Sequence, residues 1–270
     1  MSDGWVELAD GVFMQRHESW DLNTGLVVGD ERCLVIDTCV SCPQGRDLAR
    51  SVRNITVLPW VLVNTHAHVD HVLGNAAFGA ADIWSHTDCA RRLAEHGEAD
   101  LEELRSTANT AERAELDETR VVVPNRTFDQ TASIDLGGRT TVLRHIGRGH
   151  TAGDIVVDVP GPAVCFAGDL VRESGAPWFA DAFPLDWPAT LRRLEDGGAG
   201  AIVPGHGKVV DRDFVAGQRD LLTTIAETLQ AAYGERRAVE DVAPQLPLPP
   251  RSARDAVART YACLAAGPGA

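Results

Sequence analysis

Three histidines and one aspartate fall within six residues of the stretch Val63-Asn64-Thr65-His66-Ala67-His68-Val69-Asp70-His71. Imidazole and carboxylate are the usual ligands of zinc-like divalent ions. An ion held this way lowers the pKa of a bound water and polarises a carbonyl, which is the chemistry of hydrolysis. The apolar run Val57-Leu58-Pro59-Trp60-Val61-Leu62-Val63 leads into the cluster and reads as a buried strand; Val72-Leu73-Gly74-Asn75 follows it. A strand delivering four such side chains onto a tight turn is hard to explain by packing.

Three later stretches repeat the arrangement of ligand-type residues beside glycine after an apolar run. They are Gly149-His150-Thr151-Ala152-Gly153-Asp154, Phe166-Ala167-Gly168-Asp169 and Pro204-Gly205-His206-Gly207. Glycine permits tight turns and close backbone approach to a bound group. Four such strand ends point to one shared site at one edge of the sheets. His17, His86, His96 and His145 read as ordinary core or loop histidines. Asp37 ends a neighbouring strand, either as an acceptor orienting a ligand histidine or as a turn aspartate. Asp154 suits a supporting or turn role better than ligation.

The elements that must position these residues alternate between strands and helices. Gly11–Arg16, Thr24–Gly29, Cys33–Asp37, Val57–Val63, Asp82–Ser85, Ile155–Val159, Ala163–Ala167 and Ala201–Val203 read as strands, with Pro160-Gly161-Pro162 as a turn. Short strands are expected in 126–136 and 139–146. Cys33–Asp37 lacks alternation and is expected to be buried on both faces. Helices are expected over Pro43–Val52, from Asp70, from a Thr87-Asp88 cap through Glu95, and over Pro188–Leu194 and Asp213–Tyr233. The charged stretch Leu101–Leu116 reads as a surface helix or lid. Together these suggest a layered α/β domain over residues 1–235, followed in 236–270 by a proline-rich linker and short C-terminal helix packed on or beside it.

The whole chain bounds the function. It has 270 residues, 44% hydrophobic, and 25 basic against 39 acidic residues give a net charge of −14. That size supports one sizeable core, and that charge, with no basic cluster, speaks against nucleic acid as a partner. Met1-Ser2-Asp3-Gly4 shows no signal-peptide pattern and no apolar run reaches membrane-span length, so the expected address is the cytoplasm. The six cysteines show no disulfide framework, and Cys39-Val40-Ser41-Cys42 is a lone CxxC read as incidental thiols.

In order, the HxHxDH motif at 66–71, the GHT-x-GD at 149–154, the GD at 168–169 and the GHG at 205–207 resemble the motifs of the metallo-β-lactamase-fold hydrolase superfamily, over about residues 10 to 210. The resemblance implies a four-layer αββα sandwich with two divalent metal ions at one edge, zinc foremost, with iron or manganese as alternatives. By motif position His66, His68 and His150 would hold the first ion, Asp70, His71 and His206 the second, and Asp169 would bridge them; Asp70 and Asp169 carry the catalytic roles. Two carboxylates and a bridging hydroxide leave about one positive charge on such a pair, suited to a developing oxyanion. Asp169 stands where one class of β-lactamase has a cysteine, which favours a small ester-type substrate (thioester or lactone, with amide or β-lactam as further members) attacked by ion-bound hydroxide. The alternatives are a mononuclear iron oxidoreductase of the persulfide dioxygenase kind and a non-catalytic, metal-stabilised binding domain. Trp20, Trp178, Phe179 and Trp187 are candidate walls for an apolar acyl group. The sequence leaves oligomeric state open.

Overall fold

The computed structural model describes residues 4–161 and 163–267, so Met1–Asp3, Pro162 of the expected turn and residues 268–270 of the tail lie outside it. The first sheet takes seven strands in spatial order: β1 (Trp5–Ala9), β2 (Val12–Arg16), β3 (Asn23–Val28), β4 (Cys33–Ile36), β5 (Trp60–Val63), β6 (Ile83–His86) and β7 (Arg126–Phe128). It is antiparallel through β4 and parallel from there on. The second sheet holds β8 (Thr131–Asp135), β9 (Thr140–Arg144), β10 (Val156–Val159), β11 (Val164–Arg172) and β12 (Ala201–His206), in the order β12-β11-β10-β9-β8. Only its β11–β12 pair is parallel.

Period-two alternation sets the layers. Leu34, Ile36, Val61 and Val63 face the second sheet and pack with Leu143, Val157, Phe166 and Val203. Their neighbours Cys33, Val35 and Leu62 face outward onto Leu48, Ala49 and Val52, which belong to helix α1 (Cys42–Arg53). The expected burial of this strand on both faces is therefore found, and each such aliphatic contributes about 1.5–3 kcal/mol relative to exposure. Helix α1 starts on Ser41, whose hydroxyl accepts from the Gln44 amide, with Pro43 in its first turn.

Three helices follow in the first half: α2 (Val69–Val72), α3 (Thr87–Thr107) and α4 (Thr110–Asp117). In the second half α5 (Trp187–Asp196), α6 (Arg212–Gly234), α7 (Val239–Val242) and α8 (Pro250–Ala266) cover the outer face of the second sheet. Helices, sheet, sheet and helices make the four-layer αββα sandwich.

Several local expectations are corrected. An N-terminal strand, β1, precedes those read from sequence. The chain from Thr87 to Thr107 is one unbroken helix rather than two, and its cap is His86 Nδ1, which accepts from the Asp88 amide. The 101–116 stretch lies mostly at the surface and breaks between α3 and α4, with Leu101 and Leu116 anchoring it against Ala67, Val72 and Leu73. Strand β11 does not stop at Asp169 but runs through it to Arg172, with a register shift at Gly168. In the C-terminal stretch Val242, Ala243 and Leu246 are buried with Ala253, Ala256 and Val257 of α8. Among the described residues no helix is long and apolar enough to cross a membrane.

Candidate metal centre

Strand β5 ends at Val63, and the turn that follows carries His66 and His68 before α2 begins at Val69. Asp70 and His71 therefore sit in the first turn of a short helix. The second sheet meets them edge-on. His150 comes from the turn after β9, Asp169 from within β11 and His206 from the end of β12. Two glycines make this approach possible. Gly168 has a φ of +51°, and a side chain there would meet Thr65. A Cβ on Gly205 would lie 1.8 Å from Asp169 Oδ1. Both close contacts are tolerable only without a side chain.

The seven residues converge. Ligand-type atoms of His66, His68 and His150 lie within 4.8 Å of one another, as do those of His66, His71 and Asp169, and those of Asp70, His71 and His206. Asp169 Oδ1 is 3.3 Å from both His71 Nε2 and His206 Nε2, while its Oδ2 is 3.5 Å from His150 Nε2. Asp70 Oδ2 is 3.2 Å from His206 Nε2. One carboxylate, Asp169, thus reaches both groups of histidines.

The outward-facing nitrogens determine which atoms point inward. His71 Nδ1 donates to Asp37 Oδ2 at 2.7 Å, and His206 Nδ1 donates to the Trp20 carbonyl at 2.8 Å. His66 Nδ1 is 3.1 Å from the Thr65 hydroxyl. The Nε2 atoms of these three rings face the centre, buried and without a hydrogen-bond partner, as does Asp169 Oδ1. His68 is reversed. Its Nε2 contacts both Asp181 carboxylate oxygens at 3.1 and 3.2 Å, which turns Nδ1 inward to lie 2.7 Å from His150 Nε2. His150 Nδ1 is buried without a partner. Buried polar atoms are nearly always paired. A cluster of unpartnered nitrogen and oxygen donors aimed at one point fits divalent cations of the zinc type.

Burial opposes charge on all these groups, and contacts between histidine and carboxylate override it at Asp70, Asp169, His71 and His206. Against burial, His71 and His206 hold Asp70 at about 2, and His206 with His71 and His150 hold Asp169 well below the usual carboxylate range. The same carboxylates, again against burial, raise His206 to about 9 and His71 well above its ordinary value. Burial and the neighbouring imidazoles push His66 far down and His150 to about 3. The centre is thus built to hold positive charge between ionised carboxylates.

A cleft of about 540 Å³ opens over this edge. Trp20 and Trp178 line it, 49% and 40% exposed. Phe179 does not: it is fully buried against Trp187, with ring centroids 5.8 Å apart, so the expectation of Phe179 as a pocket wall is corrected to core packing. Trp187 is also fully buried and donates to the Leu170 carbonyl. Asp37 takes the orienting position: it accepts from the Thr65 amide and hydroxyl at 2.8 Å as well as from His71. Asp154 accepts from the Thr151 amide and hydroxyl, which closes the turn after His150. Cys39 and Cys42 are buried free thiols, and burial lifts Cys39 far above its ordinary range.

Sequence reading missed three contributors. Asp181 orients His68, and against burial His68 holds it at about 2. Arg172 lines the cleft and donates to Asp169 Oδ2 at 3.0 Å. Arg92, Asp100, Glu103 and Leu104 make α3 a wall of the cleft. None lies in a motif, and only the proximity of Arg172 to Asp169 along β11 offered a signal.

Comparison with known proteins agrees with this geometry. The chain is 24% identical over 235 residues to a metallo-beta-lactamase type 2 from Bacteroides fragilis, covering 83% of this chain and 86% of that one. To a protein of the same name from Bacillus cereus it is 26% identical over 166 residues, covering 60% of this chain and 57% of that one, so this match spans just over half of the relative. Among solved structures, a metallo-beta-lactamase from Pontibacter korlensis superposes with a TM-score of 0.66 at 22% identity, covering 81% of this chain and 98% of that one. A metallo-beta-lactamase from Pseudomonas aeruginosa in its mono-zinc form gives a TM-score of 0.65 at 21% identity, with coverage of 82% and 95%. At these identities the structural likeness is one of fold. The sequence profile described as the metallo-beta-lactamase superfamily matches residues 20–206, well over half of the chain. The chain therefore belongs to the metallo-beta-lactamase superfamily.

Proposed function

We propose that the protein is a metal-dependent hydrolase using two divalent ions, zinc foremost. His66, His68 and His150 would hold one ion and Asp70, His71 and His206 the other, with Asp169 between them. The observation that carries this reading is the inward aim of the buried, unpartnered Nε2 atoms of His66, His71 and His206 towards Asp169 Oδ1, each ring held by a contact on its far side, to Thr65, Asp37 and the Trp20 carbonyl. When bound, such ions supply Lewis acidity and a water acidic enough to ionise near neutral pH.

The chain's own residues do the rest. Asp70, held in its ionised form and lining the cleft, would orient the attacking water. Trp20 and Trp178 form the two exposed apolar surfaces at the cleft mouth and would hold the acyl part of a small substrate. The substrate class is a small ester-type bond: thioester, lactone or amide. The lactam amide joins this class on the names of the relatives.

The test is metal analysis combined with a substrate panel. Purified chain from metal-supplemented expression should carry close to two ions and turn over at least one activated thioester, lactone or β-lactam. A chain that takes up no metal rejects the reading. One iron per chain with oxygen uptake on a sulfur substrate would establish the oxidoreductase alternative instead.

A further inference from the structure

We propose that Arg259, on the C-terminal helix α8, is a positioning residue for the His68 and His150 side of the centre. The inference rests on the reading of these two residues as ligands of one ion. Its basis is the segment between β11 and α5, which has no regular secondary structure and so no strand or helix ladder to fix it. That segment nonetheless touches both ligands. Asp181 binds His68 Nε2 through its side chain, and the Phe183 amide donates to the Gly149 carbonyl at 2.7 Å, immediately before His150. Trp178, from the same segment, lies 4.8 Å from the His68 ring.

Arg259 fastens this strap from behind. Its Nε donates to the Ala182 carbonyl at 2.6 Å and its Nη2 to the Asp181 carbonyl at 3.3 Å. Its guanidinium also lies 5.0 Å from the centre of the Phe183 ring, which Arg148 approaches at 4.2 Å. A planar, permanently charged fork is suited to holding two successive carbonyls. Without it the Ala182 carbonyl, on a fully buried residue, loses its donor. Asp181 would then lose its fixed position, and with it the hydrogen bond that keeps His68 Nδ1 turned inward. Helix α8 lies outside the residues matched by the family profile, so this fastening comes from beyond that matched stretch.

The experiment is chelator competition on the full chain loaded with Zn²⁺ or Co²⁺, comparing wild type, Arg259→Gln, Arg259→Lys and Ala253→Gly. The last variant weakens the same helix while leaving Arg259 and its two carbonyl partners unchanged. In Arg259→Gln one ion should be held about 10–100-fold more weakly, while the other stays within about threefold of wild type. The cobalt absorption of the weakened site should change. Arg259→Lys, which can reach one carbonyl, should restore part of the affinity; it carries the test if the Gln variant does not fold. Unchanged affinities in Arg259→Gln overturn the proposal, as does the same loss in Ala253→Gly at matched thermal stability. Wild-type chain that binds no ion would overturn the functional reading as well, an outcome distinct from either.

Discussion

His71 and Asp37 form a fully buried pair, with His71 Nδ1 2.7 Å from Asp37 Oδ2. Asp37 sits at a φ of +59°, a left-handed conformation that asparagine tolerates and alanine resists. Asp37→Asn therefore keeps the backbone but exchanges one acceptor oxygen for an NH2 donor. It should weaken metal binding by about 10–100-fold and lower Tm less than Asp37→Ala does. Asp37→Ala leaves the Thr65 amide, the Thr65 hydroxyl and His71 Nδ1 short of a partner, at about 1–3 kcal/mol each, and should also melt clearly earlier. Chelator competition and thermal denaturation read the two effects separately; equal metal retention in Asp37→Asn and wild type would show that Asp37 only closes a turn.

Asp169 faces His71 and His206 with one oxygen and His150 with the other. Asp169→Ala should cut turnover by more than about 100-fold, beyond the usual effect of losing an outer partner, and lower the metal content. Far-UV circular dichroism should stay native, because the carboxylate makes no contact that builds a sheet. Unchanged kinetics would remove Asp169 from the centre.

Metal removal should expose how much of the stability is held at the sheet edge. A ligand that binds only the folded chain adds about 4 kcal/mol at 1,000 times its Kd. For a chain of this size that corresponds to a Tm rise on the order of 10 °C. Calorimetry of chelated protein titrated with Zn²⁺ measures it, and a Tm indifferent to Zn²⁺ would argue that no ion binds at these residues.

His17, which is not one of the seven converging residues, gives the fold an acid limit of its own. Burial lowers its pKa from 6.5 to about 4, and its Nε2 sits 2.9 Å from the Thr24 hydroxyl. The unfolded chain therefore takes up this proton first as pH falls. The stability is fully present above about pH 6.5 and is lost progressively towards pH 4, by at most about 3 kcal/mol. Partial solvent access makes the real loss smaller. His17→Gln should flatten urea-denaturation stability against pH in that window; an identical pH profile would clear His17 of the effect.

The two exposed tryptophans should separate in kinetics. Trp20 has a φ of +64° and its carbonyl holds His206, so Trp20→Gly keeps the backbone and removes only the indole. KM for an apolar acyl substrate should rise by about tenfold, the value of one aromatic contact, with kcat nearly unchanged. Trp178 also packs on the His68 ring, so Trp178→Ala should lower kcat too. Equal effects of both variants on kcat would contradict this division.

The ligand-bearing strands were legible because their apolar runs end in residue types that packing does not call for. The rest depended on facts that sequence does not carry. Trp178 and Phe179 are adjacent on extended chain and point to opposite sides, one 40% exposed and the other fully buried, and nothing in their types says which side faces the core. Gly97 lies inside α3, where its missing side chain makes room for Val121, with a Cβ contact of 3.0 Å that no local pattern announces. Asp181 belongs to no motif and gains its role only when the chain folds back on His68 more than 100 residues earlier.

The two sheets meet in sequence at a two-residue connection, Asp129-Gln130, exposed at the surface between β7 and β8. Every three-residue group at the centre takes members from both sides of that connection: His66 and His68 with His150, His66 and His71 with Asp169, Asp70 and His71 with His206. Neither half-chain holds a complete set. A chain cut at this connection would have to reassemble before it could bind an ion tightly, and the ion would then hold the fragments together. Metal affinity in this molecule is therefore a direct reporter of docking between its two halves, and split-protein complementation should be metal-dependent.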